Sequence, residues 1–115
     1  MFTLQWTPEA KANYDDLKAK AEASLASRRK KGKTKSSSVE GLFKYVHKTI
    51  TLLASNPKHP GLQTHEYYSL PHPYDKNQKV FEAYAQNQTP DDCRVFWCYG
   101  PEKRQITLLA ITPHP

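Results

Sequence analysis

The chain has 115 residues, enough for one packed domain that buries roughly two thirds of the surface its unfolded form exposes, and too few for two. Its 17 basic and 11 acidic residues leave a net charge of +6, but "RRKKGKTK" at 28–35 supplies the whole excess, so the charge is a local patch suited to nucleic acid, an acidic partner or a solvated helix end. An opening without a basic, apolar leader, the absence of any apolar run near ~18 residues, and only Cys93 and Cys98 at an odd spacing exclude a secreted disulfide framework, a membrane span and a metal site, and imply a soluble cytoplasmic protein with two buried or half-buried thiols.

"FTLQW" alternates Phe2, Leu4 and Trp6 against Thr3 and Gln5, the period of a half-buried strand. "TPEA" then opens a helix, with Thr7 as N-cap, Pro8 in the first turn and Glu9 against the positive end of the dipole. Ala10, Tyr14, Leu17, Ala21 and Leu25 give that helix a thin apolar stripe, which should fray through "SRRKKGK" into a serine-rich linker. A second helix is expected from about Ser37, where Glu40 completes a capping box. Val39, Leu42, Phe43, Val46, Ile50 and Leu53 form its wide apolar face, and it stops before Pro57. The short linker favours an antiparallel helical hairpin.

After the loop "NPKHPGLQTH", the stretches "THEYYSL", "KVFEAYAQ", "CRVFWCY" and "QITLLAIT" read as four strands separated by turn-rich sequence. Short connections favour an antiparallel meander with the helices on one face, an α+β architecture of four to five strands in a single domain spanning 1–115. Gathering the apolar positions places Phe81, Ala83, Ala85, Val95, Trp97, Tyr99, Leu109 and Ile111 under the helices. The other face receives Glu82, Tyr84, Gln86, Arg94, Phe96, Cys98, Ile106, Leu108 and Ala110, with His114 continuing the alternation. The assignment depends on register, because a one-residue slip exchanges the faces of a strand. An acid, a phenol, an arginine and a histidine would then share one open sheet surface.

The layout resembles the RelE/ParE superfamily of type II toxins. "WTPEAKANYDDL" is similar to the family's opening strand and helix, "LLASNPKHPGL" to the end of its second helix, "CRVFWCYG" to its central arginine-bearing strand and "ITLLAITPHP" to its closing strand. The resemblance implies a toxin held by a cognate antitoxin and, for RelE-like members, ribosome-dependent cleavage of mRNA through attack of a 2′-hydroxyl on the adjacent phosphate, with no cofactor. On that reading Arg94 stabilises the phosphorane charge, His114 serves as acid or base and Glu82 as a base on the neighbouring strand. Lys103, Arg104, Arg28, Arg29, Lys30 and Lys31 hold RNA phosphates, and Tyr84 or Tyr99 stacks a base.

Plainer readings stand beside these. Arg94 can pair with Asp91 or Asp92 at a strand end, Glu82 can be a solvent-facing strand residue, and His59, His65 and His72 read as loop histidines without metal-ligand spacing. The strand "KVFEAYAQNQ" carries few basic side chains and the chain lacks a terminal Tyr, which keeps open a ParE-like toxin that binds DNA gyrase, or a non-catalytic binding protein.

Overall fold

The computed structural model describes residues 1–33, 38–86 and 93–113. Strand β1 (Thr3–Trp6) is followed by helices α1 (Pro8–Lys30) and α2 (Ser38–Ser55), a short 3-10 turn (Pro60–Leu62), and strands β2 (His65–Tyr67), β3 (Val80–Gln86), β4 (Cys93–Tyr99) and β5 (Gln105–Pro113). The five strands form one sheet in the order β1-β5-β4-β3-β2, antiparallel except for the parallel β1–β5 pair. Both helices lie on one face, as the apolar stripes of the sequence require. The expected α+β architecture holds.

Local chemistry sets the helix ends. Thr7 is extended, its hydroxyl accepts from the Ala10 amide at 3.1 Å, and Pro8 occupies the first turn. The same hydroxyl donates to the Leu109 carbonyl at 2.9 Å, which ties the start of α1 to β5. Small Ala10 and Ala21 are the buried residues of α1 and allow close packing. From α2, Val46, Ile50 and Leu53 go fully into the core, where each side chain contributes about 1.5–3 kcal/mol of apolar burial. The helices run antiparallel: Tyr14 meets Phe43 and His47 near the start of α1, while Ser24 and Arg28 reach Glu40 at the other end.

Glu40 therefore serves a purpose that its spacing from Ser37 did not suggest. Its carboxylate is buried and accepts from Ser24 Oγ at 3.1 Å and from Arg28 Nε at 3.0 Å, locking the two helices together. Ser37 itself lies outside the described residues.

Between β3 and β4 the register pairs Phe81 with Trp97, Glu82 with Phe96, Ala83 with Val95 and Tyr84 with Arg94, so the expected division of faces holds for these strands. It fails for β5. Ala110 pairs with Phe96 but Leu108 pairs with Trp97, so Leu109 is an extra residue that shifts the strand by one. Ile106 and Leu108 consequently sit in the core and Leu109 does not, the reverse of the simple alternation. The bulge lies where Thr7 binds the Leu109 carbonyl and the Leu108 carbonyl accepts from the Thr7 amide at 3.1 Å.

The second sheet face is also less open than expected. The segment 68–79 folds over one end of it, held by His72, which is a loop histidine as expected but a buried one. His72 Nδ1 accepts from the Tyr74 and Asp75 amides, each at 3.1 Å, and Nε2 donates to the Tyr99 carbonyl at 2.8 Å. Tyr74 then contacts Thr107 Oγ1 at 3.2 Å through its hydroxyl. Gly100, at φ +107°, makes the backbone turn beneath this segment; a Cβ there would stand 3.8 Å from the Tyr74 ring and would strain the left-handed conformation.

Candidate functional site

The free half of that face carries one dense cluster of polar side chains, assembled from β2, β3 and β4. His65 pairs in register with Glu82, and Tyr84 with Arg94, so all four side chains emerge on the same side of the sheet. His65 Nε2 lies 2.5 Å from Glu82 Oε1 and 3.2 Å from the Tyr84 hydroxyl. The Arg94 guanidinium stacks on the Tyr84 ring, its central carbon 3.9 Å from the centroid, and its Nε stands 3.8 Å from Glu82 Oε2. One carboxylate thus lies between an imidazole and a guanidinium.

The members differ in access. Glu82 is buried, its side chain 7% exposed, so it is not the solvent-facing strand residue that its position allowed. Arg94 is also nearly covered, whereas the His65 side chain on the edge strand is 48% exposed. A buried carboxylate beside a cation stays compensated, and the ring most accessible to a ligand is the imidazole. Tyr67 and Phe96, with ring centroids 4.7 Å apart, form an apolar border to the cluster.

The remaining expected residues are dispersed. His114, Asp91 and Asp92 lie outside the described residues. Tyr99 is on the helix-side face, stacked with Phe2, Phe81 and Trp97 at the wall of a separate cleft of about 500 Å³ that also includes His59 and Thr64. It does not join Arg94. Lys103 and Arg104 are exposed in the turn after β4, at the end opposite Arg94, roughly 20 Å along the strand at ~3.3 Å per residue. At the tip of the helical hairpin Arg28 is drawn into Glu40, while Arg29, Lys30 and Lys31 are exposed. His65 was passed over because a single histidine without ligand spacing carries no signal; only the β2–β3 register places it opposite Glu82.

Burial also shapes the nearby thiols. Desolvation pushes Cys93 and Cys98 up to about 11; at Cys93 a hydrogen bond from the Arg94 backbone and the positive charge of Arg94 offset it only in part. Both are free, and no group of three or more His, Cys, Asp or Glu among the described residues could hold a metal ion.

Comparison with solved structures finds this arrangement of elements elsewhere. A YoeB/ParE toxin from Agrobacterium tumefaciens superposes with a TM-score of 0.62 over 98% of this chain and 99% of its own, at 8% identity. The chain adopts the RelE/ParE-type toxin fold. A copper-bound mutant toxin from Helicobacter pylori shares it at a TM-score of 0.55 and 16% identity, over 99% of this chain and 96% of that one. A conserved hypothetical protein from the same organism, known from a solution structure, gives 0.50 and 13% over the same shares. No family model and no curated protein matches the sequence. Within a RelE/ParE-type fold so divergent in sequence, the activity must be argued from the side chains present. No described helix is long and apolar enough to cross a membrane.

Proposed function

We propose that this protein is the toxin of a toxin–antitoxin pair and that it cleaves mRNA on the ribosome. The observation that carries the reading is the placement of Arg94 with Glu82 and Tyr84 on the free half of the sheet. A planar, permanently charged guanidinium suits the equatorial oxygens of a phosphate under attack, and the Tyr84 ring holds it in orientation. In this chemistry a ribose 2′-hydroxyl loses its proton and attacks the adjacent phosphorus. The bond to the 5′-oxygen breaks, leaving a 2′,3′-cyclic phosphate and a 5′-hydroxyl, and Arg94 offsets the charge of the intervening phosphorane. The toxin fold and the net charge of +6 support a cognate, acidic antitoxin as partner.

Primer extension on translated mRNA tests the reading. New 5′ ends should appear with active protein and vanish with Arg94→Ala; their absence, or their persistence in a folded Arg94→Ala variant, overturns it. His114→Ala measures any share of the terminal histidine in the same assay.

A second reading rests on a specific feature, the near-complete burial of Arg94. An arginine that mainly supports Glu82 and Tyr84 fits a ParE-like toxin that binds DNA gyrase without cutting RNA. Inhibition of supercoiling by purified protein, with no mRNA cleavage, favours it.

A further inference from the structure

We propose that the cleft on the helix-side face of the sheet binds a small aromatic carboxylic acid, a role separate from the Arg94 cluster on the other face. The loop after α2, the start of β3 and the end of β4 border about 500 Å³, the size of a small-molecule pocket. Phe81, Trp97 and Tyr99 wall it with rings, Phe81 and Trp97 with centroids 4.9 Å apart and Tyr99 edge-on to both. Pro57 and Pro60 stiffen the loop that closes the other side. A second hollow of about 450 Å³ shares Pro57, Lys58 and Tyr99 with the first and extends the space towards Phe2.

Two residues of the lining point to the chemistry of the ligand. Trp97 Nε1 and Thr64 Oγ1 are buried and find no hydrogen-bond partner among the described residues. Trp97 is 1% exposed, so its indole N–H, a donor only, is desolvated and unpaired, a state that buried polar groups rarely hold. His59 adds a donor: its Nδ1 accepts from the Gly61 amide at 2.9 Å, which leaves the hydrogen of the neutral ring on Nε2. Lys58 brings a positive charge, and no Asp or Glu is among the described residues that line either hollow. Donors and a cation without a carboxylate call for an anion, and the three rings call for a flat apolar body behind it. A carboxylate has acceptor sites enough to serve the indole, the hydroxyl and the ammonium together. Because Trp97 Nε1 and Thr64 Oγ1 are covered, it reaches them by displacing a side chain of the rim, where Lys58, His59 and Gln63 are exposed.

Titration of the full chain with indole-3-acetate, followed in ¹H–¹⁵N spectra, tests the proposal. The chain has two tryptophans, so its indole N–H signals are easily told apart. The Trp97 signal should move downfield and saturate with a Kd of about 1 mM or tighter, while that of Trp6 stays in place. Indole-3-acetamide should bind more weakly, and acetate should leave the Trp97 signal unmoved. Lys58→Gln should weaken the acid by about 2–5-fold and leave the amide unchanged. Thr64→Val should weaken the acid by about fivefold or more, yet leave the urea midpoint unchanged or raised, because the hydroxyl it removes has no partner in the protein. A Trp97 signal that does not saturate by about 10 mM overturns the site. Equal binding of acid and amide, or an equal shift with acetate, overturns the ligand class. Neither result bears on mRNA cleavage.

Discussion

The buried pair between the helices gives the sharpest stability prediction. Glu40, its side chain 7% exposed, receives Arg28 Nε at 3.0 and 3.1 Å and Nη2 at 2.9 Å, with Ser24 Oγ at 3.1 Å. Arg28→Ala removes the cation from a desolvated carboxylate that keeps the Ser24 hydroxyl among its donors. Breaking a buried pair costs about 3–5 kcal/mol. Arg28 itself is 21% exposed, so water can approach the vacated position, and a loss of about 2–3 kcal/mol is expected. At a urea slope of about 1–3 kcal/mol per molar, the unfolding midpoint should fall by about 0.7–3 M. Arg29→Ala, one residue along and exposed, should change stability by less than about 0.5 kcal/mol. Replacing both partners, as Arg28→Leu with Glu40→Leu, should recover most of the loss, because it removes the carboxylate along with its cation. Urea melts of the four proteins decide the matter. If Arg28→Ala and Arg29→Ala unfold at the same midpoint, the pair does not lock the hairpin and Arg28 belongs with its exposed neighbours.

Thr7→Ala removes both a helix cap and the hydrogen bond to the bulged Leu109 carbonyl, and should lower stability by about 1–2 kcal/mol in the same melts, whereas Thr7→Ser should be nearly neutral. The thiols predict a pH response: with native values near 11 against an ordinary 9.0, the unfolded chain releases protons that the native state retains. Their contribution to stability is complete below about pH 9 and falls as pH rises towards 11, at up to about 1.4 kcal/mol per unit for each thiol. Cys93→Ala and Cys98→Ala should each flatten that alkaline decline, and a slope identical in the variants would contradict it. His72→Ala should speed amide exchange at Tyr74 and Asp75, whose N–H groups lose their shared acceptor; unchanged protection there would show that other contacts hold the segment. Neutralising Arg29, Lys30 and Lys31 together should weaken ribosome association and reduce its salt dependence if they touch phosphates, and should alter neither if they are only hydrated.

The sequence was readable wherever one periodicity governed an element. The apolar face of α2, the Thr7 cap and the alternation of β3 against β4 led to the observed helices, and to Glu82, Tyr84 and Arg94 on one face. It misled where a single backbone event overrode the pattern: Ile106, Leu108 and Ala110 look like one side of a strand, and the extra residue Leu109 divides them between two. Side chains whose partners are distant in sequence were equally hard to place. Nothing local marks Glu40 as the acceptor of Arg28, or His65 as the neighbour of Glu82, because each pairing exists only after hairpin and sheet have set the register. His72 read as a loop residue on composition, yet the two amides that follow it in the chain close a turn around its ring.

The folded-over segment 68–79 limits how a large ligand can arrive. Pinned by His72 and Tyr74, it raises a wall across the β4–β5 end of the second sheet face and conceals Cys98 and Thr107. An RNA strand or protein segment therefore cannot run the full length of that face. Seen from the short edge strand, the exposed His65 ring is the outermost group of the cluster and the covered Arg94 lies deeper.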